Sequence, residues 1–434
     1  MIDYKKILTT AIDDAFGQTI QEVDYWIKFN GYTLTDHFFV INDRGRGIFG
    51  REINLVSLPG VDGAKYKGSR YPERYIDIDV LFMAGSDQEL RKILEEINFK
   101  LSTDKPEPLV FSDEPDRTYY AVFSDVQPGE EKNGMYKATI TFVCPDPEKE
   151  GGETIFITGD PNNPYTNHVK NGDFSNGLTN WRTWQKGSAG NTRGLTDITD
   201  FDGDDHKFTK GFYYSAVASE QYGYAQDSVS LTAGETYTLS AWFKVTSGAG
   251  RVSVQTGNAT DGWTYTNYDV APILGKWTKL SHTFTPKSNS TSVYLGQTAD
   301  GNDNYNSAQI TGVQVMRGSS SSHKWIPYLS ETVKNEGMRP VSPTVTCVFE
   351  SDATSYEVQL LKEDGAINKR VKLAYNFIEG DTLVIDFDKR KAMINEKVNM
   401  NAILMLSRWF DIPVGDCTIK TTHKSTIKFR KKYI

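Results

Sequence analysis

The chain has 434 residues, of which 38% are hydrophobic and 24% charged, so it can form packed globular domains, about three by length. Its 48 basic and 56 acidic side chains give a net charge of −8, which argues against general nucleic-acid binding. Cys144, Cys347 and Cys417 are too widely spaced for a disulfide framework or a thiolate zinc site. With no membrane-length apolar stretch and no signal-peptide profile at the N-terminus, we expect synthesis in a cytosol without secretion by the usual route.

Charge and residue type change twice along the chain. Residues 1–164 carry a net charge of −11, residues 165–330 are neutral, and residues 331–434 carry +3. The middle zone is rich in Ser, Thr, Asn and Gly and holds six of the eight tryptophans. Few helix formers and many turn residues between β formers predict a separate all-β domain there. Breaker clusters at 159–164 and 318–322 lie near its two ends.

The first zone predicts strands and one helix. In residues 75–82 the apolar side chains alternate with polar ones, which is typical of a strand with one buried face. Ser86 and Glu89 fit a capping box, and the apolar stripe that follows predicts a helix over 86–101. The Gly-containing residues 58–68 predict a surface loop, with a projecting arm that docks on a neighbour as the alternative. Further strands are predicted at 25–29, 108–111, 118–126 and 136–144.

The last zone returns to strands. Gly380-Asp381 and Gly415-Asp416 are turn signals that precede β runs. The predicted strands cover 344–350, 355–361, 382–387 and 418–422, which indicates a β-sandwich.

The sequence contains few signs of a catalytic site. No pair of the six histidines has the spacing of a helix-borne metal site, and the chain has no P-loop, G-x-G-x-x-G or G-x-S-x-G motif. A pair of glycosidase carboxylates needs only to be close in space, so a hydrolase stays open as the alternative function.

The acidic loop 197–205 departs from the calcium template of the EF-hand. Aligning Asp200, Asp202 and Asp204 with the first ligands puts Asp205 where glycine is needed and Gly211 where glutamate is needed. A solvated acidic loop and an irregular calcium site are the two remaining interpretations.

The aromatic residues of the middle zone carry the main functional prediction. Sugar rings present flat C–H faces that stack on indole and phenol rings, while amides bind the rim hydroxyls. Trp242 and Trp277 lie in apolar-alternating runs and are predicted to be core. In the polar stretch 255–268, Trp263 and Tyr265 share a face if the chain is extended, and surface binding and plain packing both remain open. The candidate carbohydrate-binding residues are Trp263, Tyr265, Tyr268, Gln226, Gln255, Asn258, Gln297 and Tyr305.

Three stretches of the middle zone resemble a known module family. Asn171-Gly-Asp-Phe174 through Trp181, Gly234 through Lys244, and Trp277-Thr-Lys-Leu280 are similar to jelly-roll carbohydrate-binding modules appended to xylanases and cellulases. The resemblance implies a sugar-binding β-sandwich, with a possible structural calcium near the Asn-Gly-Asp-Phe segment. Thr311-Gly312 stand where it expects an acidic residue, so no cofactor is assigned. The weak calcium candidates are Asp173, Asp200 and Asp202.

The flanking zones resemble the siphophage distal tail proteins. The N-terminal similarity rests on Pro59-Gly-x-Asp-Gly63, the 75–82 strand, the capped helix and Phe142-Val-Cys-Pro-Asp-Pro147. The C-terminal similarity rests on Asn335-Glu-Gly337, residues 380–386 and Pro413-Val-Gly415, and implies a galectin-like sandwich.

These resemblances imply a mainly β protein of three domains: an α+β ring-forming domain at 1–147, a galectin-like sandwich at 148–164 and 331–434, and an inserted module at 165–330. Such a protein is a non-enzymatic hexameric hub at the virion tail tip, made in the bacterial cytoplasm. Its expected partners are its own copies, the tail-tube protein, tail-tip proteins, the receptor-binding protein and host cell-wall polysaccharide, with no nucleic acid or membrane insertion. The insert could instead be a spacer that has lost its sugar site.

Overall fold

The computed structural model describes residues 25–434 except 61, 161, 165, 186, 200, 205, 300–302 and 323. With 55% of the chain in strands and 6% in helices, it confirms the predicted mainly β class. One compact unit comprises the described residues up to Glu153 with 337–339 and 430–434, and the other comprises 154–336 with 340–429. Among the described residues, no helix is long and apolar enough to cross a membrane.

The first unit is built on a seven-stranded sheet. Its elements are β1 (Ile27–Phe29), β2 (Tyr32–Thr33), β3 (Phe39–Arg44), β4 (Glu52–Val56), β5 (Lys65–Arg70), β6 (Arg74–Met83), α1 (Asp87–Leu101), β7 (Glu107–Phe111), β8 (Tyr119–Lys132) and β9 (Met135–Cys144). The sheet order is β2-β1-β7-β8-β9-β6-β3. The alternation in β6 buries Ile76, Ile78 and Val80, and the Ser86 Oγ caps α1 by accepting from the Glu89 amide at 3.2 Å.

The predicted loop at 58–68 is partly wrong, because β5 begins at Lys65 and pairs with β4 as a two-stranded hairpin. Neither strand joins the seven-stranded sheet. Side chains on both faces of the hairpin are exposed, so no one-sided apolar alternation marked these strands in the sequence.

The middle region consists of two five-stranded sheets that enclose an apolar core. Its strands are β11 (Arg182–Trp184), β12 (Thr192–Asp197), β13 (Asp202–Gly203), β14 (His206–Lys207), β15 (Lys210–Ser215), β16 (Tyr222–Ser230), β17 (Tyr237–Ala249), β18 (Arg251–Asn258), β19 (Gly262–Asp269), β20 (Trp277–Phe284), β21 (Ser290–Gln297) and β22 (Tyr305–Arg317), which follow β10 (Lys149–Ile157). The orders of the two large sheets are β11-β16-β21-β18-β19 and β12-β15-β22-β17-β20, and β13 pairs with β14 in a separate two-stranded sheet. Trp242 and Trp277, predicted as core, are half-buried in a smaller cluster with Phe201 and the buried Trp325.

The C-terminal region is a sandwich of a six-stranded and a four-stranded sheet. Its strands are β23 (Ser330–Asn335), β24 (Thr344–Val348), β25 (Ala353–Leu361), β26 (Ile367–Phe377), β27 (Thr382–Asp386), β28 (Lys391–Ile394), β29 (Lys397–Val398), β30 (Gly415–Thr421) and β31 (Thr426–Tyr433). The sheet orders are β10-β31-β24-β27-β28-β29 and β23-β30-β25-β26. Single 3-10 turns occur at Leu34–Asp36, Ala271–Ile273 and Met400–Ala402. The predicted domain boundaries stay a prediction.

Candidate functional site

An open groove of about 550 Å³ crosses the sheet β11-β16-β21-β18-β19. Every strand of this sheet except β16 contributes a lining residue, and Gln221 lies just before β16. The groove is lined by Arg182, Trp184, Gln185, Gln221, Gln255, Trp263, Tyr265, Asn267, Tyr294, Thr298 and Ala299.

Strand register explains why residues distant in sequence meet in the groove. Residues directly opposite each other on neighbouring strands lie on the same face of a sheet. One such row across all five strands is Arg182, Ala225, Tyr294, Gln255 and Tyr265. The neighbouring row is Trp184, Gly223, Gly296, Ser253 and Asn267.

Small residues form the middle of the second row. A Cβ added to Gly223 would lie 2.1 Å from the Leu295 carbonyl oxygen, and one added to Gly296 would lie 2.2 Å from that of Tyr222. No side chain fits at either position without moving the backbone. At these two positions, therefore, no side chain projects from the groove floor.

The exposed aromatic wall belongs to the edge strand β19. Trp263 and Tyr265 are two residues apart, point to the same face, and are each 58% exposed. At the other end of the groove, Trp184 and Tyr294 are largely buried, with their ring centroids 5.4 Å apart. The groove therefore offers two rings for stacking and a second pair that supports its floor.

The cation in the groove is neutralised by a neighbouring carboxylate. Arg182 Nη2 donates to Asp227 Oδ1 at 2.9 Å, and Ser292 Oγ donates to the same oxygen at 2.7 Å. Hydrogen bonds from Arg182 hold the pKa of the Asp227 carboxyl below its usual value. The same pair raises the pKa of the Arg182 guanidinium.

Amides supply the polar groups between the aromatic residues. Gln255 Nε2 donates to Ser253 Oγ at 2.8 Å, and Gln185 Nε2 lies 3.4 Å from Gln221 Oε1. Aromatic rings with amides between them, on a floor without free charge, can hold a sugar by stacking and by hydrogen bonds to its hydroxyls.

The structure brings three of the eight predicted residues into the groove: Trp263, Tyr265 and Gln255. Tyr268 lies on the opposite face of β19, where its hydroxyl donates to the Ser281 carbonyl at 2.6 Å. Tyr305 is exposed, but on β22 of the other sheet.

The three remaining predicted side chains bond to the protein itself. Gln226 and Gln297 are almost fully buried. Gln226 makes two bonds to the Lys170 backbone, and Gln297 Nε2 donates to the Ala218 carbonyl at 2.7 Å. Asn258 Oδ1 accepts from two amides of its own hairpin turn.

Sequence reasoning missed most of the groove. Trp181 and Trp184 stand three residues apart in the sequence, which could have drawn attention to β11, but only Trp184 reaches the groove. No feature of the sequence around Tyr294 marks it as a groove residue, because its position depends on the pairing of β21 with β16 and β18.

Two of the three calcium candidates, Asp173 and Asp202, lie among the described residues. Asp173 Oδ1 accepts from Ser175 Oγ at 3.0 Å, Asp202 is exposed on β13, and Asp200 lies outside the described residues. Where the resemblance expects an acid, Thr311 is buried and its hydroxyl donates to the Lys210 carbonyl. In the part of the chain that the structure describes, no three His, Cys, Asp or Glu side chains could hold a metal ion together.

Three consecutive segments of the chain match models of known families. Residues 27–144 match the phage tail protein RIFT-related domain, residues 166–299 a carbohydrate binding domain, and residues 336–433 the C-terminal domain of the siphovirus-type tail component. Both resemblances drawn from the sequence are thereby confirmed.

The individual proteins that match cover different shares of the chain. The distal tail protein of Bacillus phage SPP1 is 24% identical over 412 residues, which cover 94% of this chain and 96% of that protein. The crystal structure of the SPP1 protein, described as a hub of the adsorption apparatus, matches with a TM-score of 0.51 at 19% identity, over 94% of this chain and 99% of that one. A family 16 carbohydrate-binding module matches 35% of this chain and 99% of its own length, at 22% identity and a TM-score of 0.25.

Proposed function

Since the chain carries the two domains of siphophage distal tail proteins with a carbohydrate-binding domain between them, we propose that it is the hub of a phage tail tip that also binds host cell-wall saccharide. The order of the three matched segments and the relative that spans 94% of the chain support the hub role. The aromatic groove supports the saccharide role.

In this proposal six copies form a ring between the tail tube and the tail-tip and receptor-binding proteins. The hairpin β4–β5 supports self-association, because a two-stranded hairpin is marginal in isolation. Its exposed apolar side chains include Ile53 (62%), Leu55 (56%) and Tyr66 (60%). Packing on a neighbouring copy would remove them from water, and a head-to-tail contact of this kind closes into a ring.

Two aromatic rings and two arginines pack together at the base of the hairpin. Phe49 and Tyr71 stack with centroids 6.0 Å apart. The guanidinium of Arg74 lies 4.3 Å from the Phe49 ring, and that of Arg51 lies 4.5 Å from the Tyr71 ring. Because its base is already packed in the free chain, the hairpin loses less conformational entropy when it packs on a neighbouring copy.

The saccharide role rests on the exposure of Trp263 and Tyr265. Stacking contributes about 0.5–1.5 kcal/mol per ring beyond area burial, so a single site is weak. A ring would present six such sites, and avidity then gives firm but reversible attachment.

The direct test measures binding of the full-length protein to Gram-positive cell walls, intact or stripped of polysaccharide. We expect saturable binding that stripping abolishes, and that Trp263→Ala with Tyr265→Ala weakens about 10- to 100-fold, from the loss of two stacked contacts. Tyr305→Ala is the matched control, because it removes an aromatic ring of similar exposure (50%) from the other sheet.

Each alternative predicts a different result. If the insert is a spacer, the double variant adsorbs like the parent protein. If the chain is a carbohydrate-active hydrolase, it releases reducing sugar from the walls, and one Asp or Glu substitution abolishes that release. We propose that the chain has no catalytic role, requires no cofactor, and is made in the host cytoplasm before assembly at the tail tip.

A further inference from the structure

Segment 397–408, between β28 and β30 of the C-terminal sandwich, exposes five apolar side chains within nine residues. They are Val398 (61%), Met400 (45%), Leu404 (40%), Met405 (102%) and Leu406 (80%). Isolated exposed apolar residues are ordinary, but a cluster of this kind marks an interaction site.

The segment is held firmly in this position. The Leu404 amide donates to the Lys372 carbonyl at 2.9 Å, and the Arg408 amide donates to the Arg370 carbonyl at 2.7 Å. Ser407 Oγ accepts from the Lys372 amide at 3.1 Å. These bonds attach the segment to β26, so Met405 and Leu406 are presented on a fixed turn and cannot fold back into the core.

The surroundings of the apolar cluster are basic. Segment 397–408 and strand β26 together contain five cations and no carboxylate, and one exposed carboxylate, Glu396, directly precedes the segment. The cations are Lys369, Arg370, Lys372, Lys397 and Arg408. Glu357 on β25 lies 3.2 Å from Arg370 Nη1 and 3.6 Å from Lys372 Nζ. Within the described residues, Lys369, Lys397 and Arg408 make no such ion pair.

We infer that segment 397–408 is the docking site of another protein of the tail tip, whose surface combines apolar side chains with a rim of carboxylates. This inference rests on the proposed hub function, which supplies the setting in which such a partner is met. Methionine and leucine adapt their shape to an apolar partner surface, and the exposed cations complement its carboxylates. Symmetric packing of the same patch of a second copy would instead bring like charges together.

Methionine oxidation provides the test, since Met405 is fully accessible in the free chain. Dilute hydrogen peroxide is applied to the isolated full-length protein and to assembled tails, and peptide mass spectrometry follows each methionine. We expect Met405 and Met400 to react at least tenfold more slowly in tails. The buried Met316 should react slowly in both samples and is the internal control.

The outcomes separate the inference from the proposed function. If the protein is absent from tails, the hub function itself fails. If it is present but Met405 reacts as fast as in the free protein, the docking site is overturned and the hub stands. Protection that appears in the isolated protein on concentration, or with phosphatidylglycerol vesicles alone, assigns the segment to self-association or to a lipid surface and also overturns the inference.

A variant gives a second readout. Met405→Glu with Leu406→Glu alters only exposed side chains, so we expect the chain to fold and to enter tails that lack one protein component. Val348→Glu is the matched control, because Val348 is 56% exposed at the end of β24, outside segment 397–408. Tails of unchanged composition with the double variant contradict the docking site.

Discussion

Glu331 is a buried carboxylate at the point where the chain returns from the middle region to the C-terminal sandwich. It is 1% exposed, and its oxygens accept from Thr166 Oγ1 and Asn163 Nδ2. Burial raises the pKa of the Glu331 carboxyl to about 7, and the charge of Asp160 acts in the same direction. The hydrogen bonds from the 159–166 segment limit this shift without abolishing it.

A carboxyl whose pKa is higher in the folded than in the unfolded state binds its proton more tightly when folded. Its contribution to stability is therefore greatest below the usual glutamate pKa and is lost as the pH rises toward 7. We expect the free energy of unfolding of the parent protein, relative to Glu331→Gln, to fall by on the order of 3 kcal/mol between about pH 4.5 and 7. Denaturant unfolding of both proteins across this range measures the difference.

The comparison with Glu331→Gln is needed because titration of the histidines changes the free energy of unfolding in the opposite direction as the pH rises. Burial lowers the pKa of all five described histidines, that of His168 to about 4, so their contribution to stability increases with pH in the same window. Subtracting the two curves removes this shared effect. A difference that does not change with pH would show that Glu331 is ionised at no extra cost in the folded protein.

Residue type alone did not distinguish the side chains that line the groove from those that lie elsewhere. The alternation around Trp263 and Tyr265 correctly placed both rings on one face, because that pattern is local to β19. Gln226, Gln255 and Gln297 looked equivalent in the sequence, yet only Gln255 lines the groove. Their difference arises from strand pairing, which a single sequence does not encode locally.

At the scale of elements, prediction succeeded where one face is buried. The strand β6 and the helix α1 were placed to within one or two residues, because their apolar periodicity reflects a single core. β26 was not predicted, since its strongly basic sequence has few buried positions and its edge is covered by segment 397–408. The hairpin β4–β5 was missed because it buries no face within the chain.

The exposed apolar side chains of the hairpin β4–β5 lead to a prediction about self-association. Leu55→Asp with Tyr66→Ser removes apolar contacts expected between copies but none in the core of the described chain. We expect the parent protein to sediment as a hexamer and the variant as a monomer with unchanged thermal unfolding of its β-sandwiches. Val348→Asp is the control, because Val348 is 56% exposed and lies outside both the hairpin and segment 397–408. Hexamers that persist in the hairpin variant would place the self-association surface on other residues.

At the scale of the molecule, composition predicts an inserted domain, because the middle region differs from both flanks. The structure adds that its two ends meet: Asn167 Nδ2 donates to the Ile326 carbonyl at 2.8 Å, and Thr166 contacts Glu331. Adjacent ends let a complete sandwich be inserted into another without opening its core. The groove strands lie between these ends, so we expect the proposed sugar site to be independent of the proposed hub role.

If the groove is independent of the hairpin, the hairpin variant also makes a prediction about saccharide binding. A monomeric Leu55→Asp/Tyr66→Ser variant keeps all groove residues, so its affinity for short, single-site fragments of wall polysaccharide should equal that of the parent. On intact walls, where several sites of one ring bind together, the parent should bind at least about a hundredfold more tightly. Sedimentation with walls and calorimetry with fragments give the two affinities. Equal retention on walls would mean that one groove carries the attachment alone, whereas weaker binding of the fragments would mean that the substitutions disturbed the groove.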